Sequence, residues 1–171
     1  MRAIIWRMLA SSNGSNNVNI GPFNSAFELG VRMAFILHAL RPRVADLQKL
    51  VLLDYALIYS GDLGGPSSIH TPVPQRNSEV YTRRDRIEEG LYLMSRKGVV
   101  AASFRDEGIT YSAGTQCRQL VNALTSAYAR ELQARSFWLA SEFGDISPEA
   151  LALRFDREGH RWGAEFSDAH I

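Results

Sequence analysis

The chain has 171 residues, 46% of them hydrophobic and 22% charged, the composition of an ordinary globular protein built around one core. Nineteen basic against 18 acidic residues leave a formal net charge of +1, so no overall field is available to hold a nucleic-acid backbone and any such contact needs a local patch. A single cysteine, Cys117, excludes an internal disulfide and a cysteine-rich metal site, and suits a reducing cytosol.

The N-terminal run Arg2-Ala3-Ile4-Ile5-Trp6 starts basic and turns apolar, but Arg7 interrupts it. The run is too short for a signal-peptide core and far short of the roughly 20 residues that span a bilayer, so the expectation is a cytoplasmic chain with no membrane partner. Ser11 to Asn17 is a polar, turn-rich linker, which makes residues 1–20 an arm whose Trp6 is a candidate partner contact.

The helical body begins at Ser25, which has capping-box spacing to Glu28, with Asn24 as the competing cap. Phe27, Val31, Phe35 and Ile36 follow at helical intervals, and Arg41-Pro42 ends the helix. A second helix is expected from about Val44 to Tyr59, with Leu47, Leu50, Val51 and Ile58 on one stripe and Ser60-Gly61 as its stop. Asp54 lies on that stripe. A buried carboxylate there is costly without a partner, so an ion pair with Arg32 or a backbone group is favoured over a catalytic or metal role. The four histidines, His38, His70, His160 and His170, show no metal-binding spacing; each is expected at the surface or half-buried.

The segment Gly61 to Pro74 holds three glycines and three prolines, and its length calls for a reason in a compact domain. It follows a helix and contains no lysine, so it is no nucleotide-phosphate loop. Two readings stand level: an ordered loop folded on the helices, or a docking edge through Asp62, Leu63, Gly64, Gly65 and Pro66.

Thr82 and Asp85 have capping-box spacing at the expected start of a third helix, whose first turn carries Arg83, Arg84 and Arg86, with Arg76 just upstream. These four arginines are the candidate DNA or phosphate contacts. Against that, residues 76–97 hold six basic and four acidic residues, a net of only +2, which also fits a solvated face. After Lys97-Gly98, Val100, Ala102 and Phe104 alternate, as do Ile109, Tyr111 and Ala113, predicting a hairpin of two half-buried strands.

Helix, glycine stop and hairpin in that order make residues 21–114 a winged helix-turn-helix-like core. Thr115 is expected to cap a further helix with Leu120, Val121 and Leu124. A longer run carries Tyr128, Leu132, Trp138, Leu139 and Phe143, and Ser147-Pro148-Glu149 opens a last helix with Leu151, Leu153 and Phe155. Residues 115–158 therefore form a helical extension and residues 159–171 a tail. Trp138 and Trp162 join Trp6 as candidate partner contacts. The fold class is mostly α with a small β-hairpin.

Phe23-Asn24-Ser25, Leu53-Asp54-Tyr55, Ser60 to Pro66 with Ser68 and His70, Arg76 with Glu79, Arg83-Arg84, Ile87 to Leu91, Tyr128-Ala129 and Phe143-Gly144-Asp145 together resemble the middle component of bacterial three-component ABC-ATPase systems. The resemblance runs from about residue 23 to 155. It implies a Lamassu-like anti-phage module in which a small adaptor, without chemistry or cofactor of its own, couples an ATPase of the structural-maintenance-of-chromosomes (SMC) type to an effector, often a nuclease. The expected partners are that ATPase, the effector, and DNA through a weak, sequence-independent contact within the complex. The competing expectation is a winged-helix transcriptional regulator acting through the four arginines.

Overall fold

The computed structural model describes residues 25–70, 77–106 and 108–162. Among them are six α-helices and a small antiparallel sheet: α1 (Ala26–Leu40), β1 (Ala45–Asp46), α2 (Leu47–Ile58), a 3-10 turn (Ser60–Leu63), α3 (Asn77–Arg96), β2 (Val100–Arg105), β3 (Gly108–Ala113), α4 (Cys117–Ala123), α5 (Ala127–Phe143) and α6 (Pro148–Trp162). The sheet order is β1-β3-β2, with Ala45 opposite Tyr111 and Phe104 opposite Ile109.

Caps set most of the boundaries. The hydroxyl of Ser25 accepts from the Glu28 amide and starts α1, and Ser126 does the same for α5 through Ala129. The last helix opens at Pro148, where the Ser147 hydroxyl accepts from the Ala150 amide.

Several expected boundaries move. Residues Ala45 and Asp46 pair with β3 before α2 begins, so α2 starts at Leu47 with Asp46 as its cap. The left-handed glycine that ends this region is Gly64, at φ 74°, because a 3-10 turn carries the chain past Gly61. Helix α3 begins at Asn77, which leaves Thr82 and Asp85 inside it rather than at its cap. Gln116, not Thr115, precedes α4, and it makes no side-chain cap. Helix α6 continues to Trp162, beyond residue 158.

The core runs through all of these elements: Leu29, Met33 and Phe35 of α1, Leu50 and Leu53 of α2, Ile87 and Leu91 of α3, Leu132, Leu139 and Phe143 of α5, and Leu151 and Phe155 of α6 are buried together. Helix α2 is buried on every side from Lys49 to Ile58, so its apolar surface is a full cylinder rather than a stripe. Cys117 is a core residue, its thiol donating to the Ala34 carbonyl at 3.3 Å. Helices α1 and α3 cross at Gly30 and Gly90, where a methyl group on Gly90 would sit 2.5 Å from the Ala26 carbonyl oxygen and 2.6 Å from the Gly30 nitrogen. Only residues without a side chain allow the two backbones to approach so closely.

Several apolar residues expected inside lie outside, Ile109 and Leu124 among them. Phe27 on α1 and Leu153 on α6 are 64% and 61% exposed. The hairpin strands are less buried than their alternation predicts: Val100 and Tyr111 are buried near its base, while Phe104 is 82% exposed. Alternation marks a strand's two faces, but β1 is only two residues long and pairs with Tyr111 and Thr110 of β3, so among the described residues the outer hairpin has no layer to cover it.

Candidate functional site

Asp54 stands at the middle of α2, with no surface exposed. From α1, Arg32 reaches it with Nε donating to Oδ1 at 2.8 Å and Nη2 donating to Oδ2 at 2.6 Å, a two-pronged pair between two fully buried side chains. From α3, Arg83 turns inward and places Nη1 3.8 Å from Asp54 Oδ2. The remaining Arg32 nitrogen, Nη1, lies 4.0 Å from Glu28 Oε1 one turn earlier on α1 and makes no hydrogen bond among the described residues. Tyr128 of α5 donates its hydroxyl to the same Glu28 oxygen at 3.4 Å, and the His70 ring stacks on the Tyr128 ring at 6.3 Å between centroids. Five parts of the chain, α1, α2, α3, the loop ending at His70 and α5, thus meet around one carboxylate.

The electrostatics follow from this packing. Burial opposes the charge on Arg32, but the adjacent Asp54 carboxylate outweighs it and raises the guanidinium pKa. Glu28 is pushed up by burial, partly offset by Arg32 and by the Tyr128 hydrogen bond. His70 is pushed down by burial and then by the positive charges of Arg32 and Arg83, which favour the neutral ring. Burial raises Tyr128. The arrangement suits a fixed ionic joint: both Asp54 oxygens are held, and the geometry is bidentate.

A second joint ties α5 to α2. Lys49 Nζ donates to the carbonyls of Gly144 at 2.8 Å and Ile146 at 2.7 Å, and Arg43 donates to the Ala140 carbonyl and to Asp145. These cations fill acceptors left open at the C-terminal end of α5 and complement its dipole. Burial, and then Arg43, lowers the Lys49 pKa.

The glycine-rich loop is folded onto the body. Ser60 donates its hydroxyl to the Pro66 carbonyl at 2.8 Å, Arg135 of α5 donates to the Ser67 carbonyl from two nitrogens, and Gly65 lies flat against the Trp138 indole, which occupies the space a side chain there would need. Asp62, Leu63 and Gly65 are half-buried, Gly64 and Pro66 exposed, and Trp138 half-buried. Of the expected partner contacts, the structure brings Gly65 and Trp138 together. Trp6, Arg76 and the side chain of Trp162 lie outside the described residues.

Among the arginines expected to meet phosphate, Arg83 is buried toward Asp54 and Arg84 and Arg86 are half-buried. From Arg83 onward, the exposed positions on α3 are instead Asp85, Glu88, Glu89, Tyr92, Leu93 and Arg96. Sequence reasoning found the Arg32–Asp54 pair and missed Glu28 as its neighbour. The four-residue spacing of Glu28 and Arg32 on one helix face was the available signal. The approach of Arg83, His70 and Tyr128 to the same carboxylate leaves no local trace in the sequence.

The family model of ABC-three component (ABC-3C) system Middle Component 2 matches residues 22–165. No curated protein matches the chain, and no solved structure does.

Proposed function

The chain belongs to the Middle Component 2 family of ABC-three component systems, and on that footing we propose that it is a non-catalytic adaptor linking an SMC-like ABC ATPase to an effector nuclease in a Lamassu-like anti-phage complex. The observation that carries this reading is the extent of the match, which takes in every described helix in full: it begins before α1 and ends after α6. A middle component works among other components, and the adaptor reading gives it the simplest task there, holding two of them in one assembly.

The geometry supports this reading. Segments that carry the resemblance, around Asp54, His70, Arg83 and Tyr128, converge on an ionic joint that fixes the helices to one another. Their polar groups are engaged inside the body, as suits residues that hold a shape. Helix order α1-β1-α2-α3-β2-β3 with strand order β1-β3-β2 supports a winged-helix core, and the outer face of its third helix mixes acidic and apolar residues. That face suits a protein partner better than a phosphate backbone.

The test is co-expression with the ATPase and effector of the same system, followed by size-exclusion chromatography with mass detection, with and without DNA. The adaptor reading predicts co-elution that survives Arg84→Ala and Arg86→Ala together. A free chain that ignores both proteins and binds one DNA sequence tightly would replace it with a winged-helix regulator.

A further inference from the structure

From Arg83 onward, the exposed positions of α3 are Asp85, Glu88, Glu89, Tyr92, Leu93 and Arg96. They recur at intervals of three and four residues, so they form one stripe along the helix. Its chemistry changes along the axis. Three carboxylates come first, Tyr92 and Leu93 follow at 59% and 37% exposed, and Arg96 closes the stripe with its guanidinium 6.0 Å from the Tyr92 ring centroid, which holds the cation on this face. Among the described residues, none of these carboxylates forms an ion pair within the chain, and neither does Arg96.

We propose that this face pairs with a second copy of the chain, the two α3 helices lying antiparallel about a two-fold axis between Tyr92 and Leu93. A two-fold axis joins a surface to itself, so such a patch must complement its own reverse. The order acid, apolar, base meets that condition. With the axis at the apolar centre, Glu89 of each chain comes level with Arg96 of the other, because the two positions lie equally far on either side of it. Tyr92 and Leu93 of both chains then meet in the middle, away from water. A parallel pairing would set carboxylate against carboxylate, and a foreign helix would have to bring its own base opposite Glu89; reversal of this helix supplies one. A single helix pair falls at the low end of the roughly 1,200–2,000 Å² that stable interfaces bury, so the dimer is expected to dissociate on dilution and in high salt. It also covers the face of α3 that a winged helix would turn to a DNA groove. A chain can bridge two other proteins as a monomer or as a dimer, so this pairing and the adaptor role stand or fall separately.

The experiment is sedimentation velocity on the full chain over a concentration series, with Glu89→Lys, Arg96→Glu and an equimolar mixture of the two. Both positions are exposed, and melting temperatures close to that of the parent chain establish that each variant folds. The pairing predicts a monomer–dimer equilibrium for the parent and a dissociation constant raised about tenfold or more in either single variant, where like charges face each other. In the mixture each contact joins opposite charges again, so the dimer returns as one chain of each kind. Tyr92→Ser, which removes apolar surface and no charge, is expected to weaken the parent dimer as well. A parent chain that stays monomeric at every concentration overturns the proposal and leaves the face to a helix of another protein. A dimer that none of these substitutions weakens, or one that the mixture fails to restore, also overturns it and places the self-contact elsewhere.

Discussion

At Asp54 the cost of burying a charge sets what the site tolerates. A carboxylate with no exposed surface survives because Arg32 meets both of its oxygens, and removing either partner leaves the other charged in a dry interior. Asp54→Ala is therefore expected to destabilise the fold by about 3–5 kcal/mol, read as a lower urea midpoint at unchanged slope. A conservative swap of both residues for apolar side chains of similar volume is expected to recover most of that loss, since the pair is costly to bury as well as costly to break. Lys49→Ala removes both hydrogen bonds that Nζ donates at the end of α5; leaving those carbonyls unmet is expected to cost about 1–3 kcal/mol in the same assay.

His70 adds a pH dependence at the same scale. Its pKa is lowered from 6.5, first by burial and then by Arg32 and Arg83. The folded protein therefore holds its proton less readily than the unfolded chain. Stability from this residue is fully present above the unfolded value of 6.5 and is lost as pH falls through the lower folded value. His38, lowered by burial and by Arg41 and Arg118, acts with the same sign. Glu28 acts oppositely: its raised pKa means that its contribution is present below 4.5 and is lost as pH rises through the folded value. Melting temperature is thus expected to drop as pH is lowered from above 6.5, and the drop is expected to be shallower in a His38→Gln, His70→Gln double variant.

Among the elements, the α1–α3 crossing is the most demanding. Gly90 lies in a helix, where alanine would ordinarily stabilise. Here a methyl group would press on the backbone of Ala26 and Gly30 rather than on a side chain able to move. Gly90→Ala is expected to cost about 1–3 kcal/mol, as overpacking does, and a denaturant series that found it neutral would mean the helices are free to separate. The hairpin is the opposite case: Phe104→Ser changes a side chain that touches little, and its stability effect is expected within about 0.5 kcal/mol.

The caps of α1 and α6 were legible because each is a short-range pattern, a serine followed at fixed spacing by the amide from which it accepts. Strand β1 was not, since two residues carry no periodicity and exist as a strand only through Tyr111 and Thr110. Gly61 was a reasonable stop for α2, but a 3-10 turn moved the left-handed residue to Gly64. The same limit applies to the site: Arg32 was identifiable as a partner for Asp54 because a buried carboxylate requires a cation. Arg83, His70 and Tyr128 arrive from three other parts of the chain by tertiary packing.

For the molecule as a whole, two joints tie four helices together: one binds α1, α2, α3 and α5 around Asp54, the other fastens the end of α5 to the start of α2. No helix among the described residues is long and apolar enough to cross a membrane. The near-neutral charge and the inward turn of Arg83 fit the proposed adaptor, a body that presents surfaces to other proteins rather than a phosphate-binding field.

The adaptor account is tested most directly by a bridging pull-down: tagged effector is immobilised, the ATPase is added, and retained ATPase is quantified with and without this chain. The account predicts retention only when the chain is present, and its loss when the Asp54→Ala variant is substituted at a temperature where that variant is unfolded. ATPase retained equally without the chain, or a folded chain that binds neither protein, would contradict it.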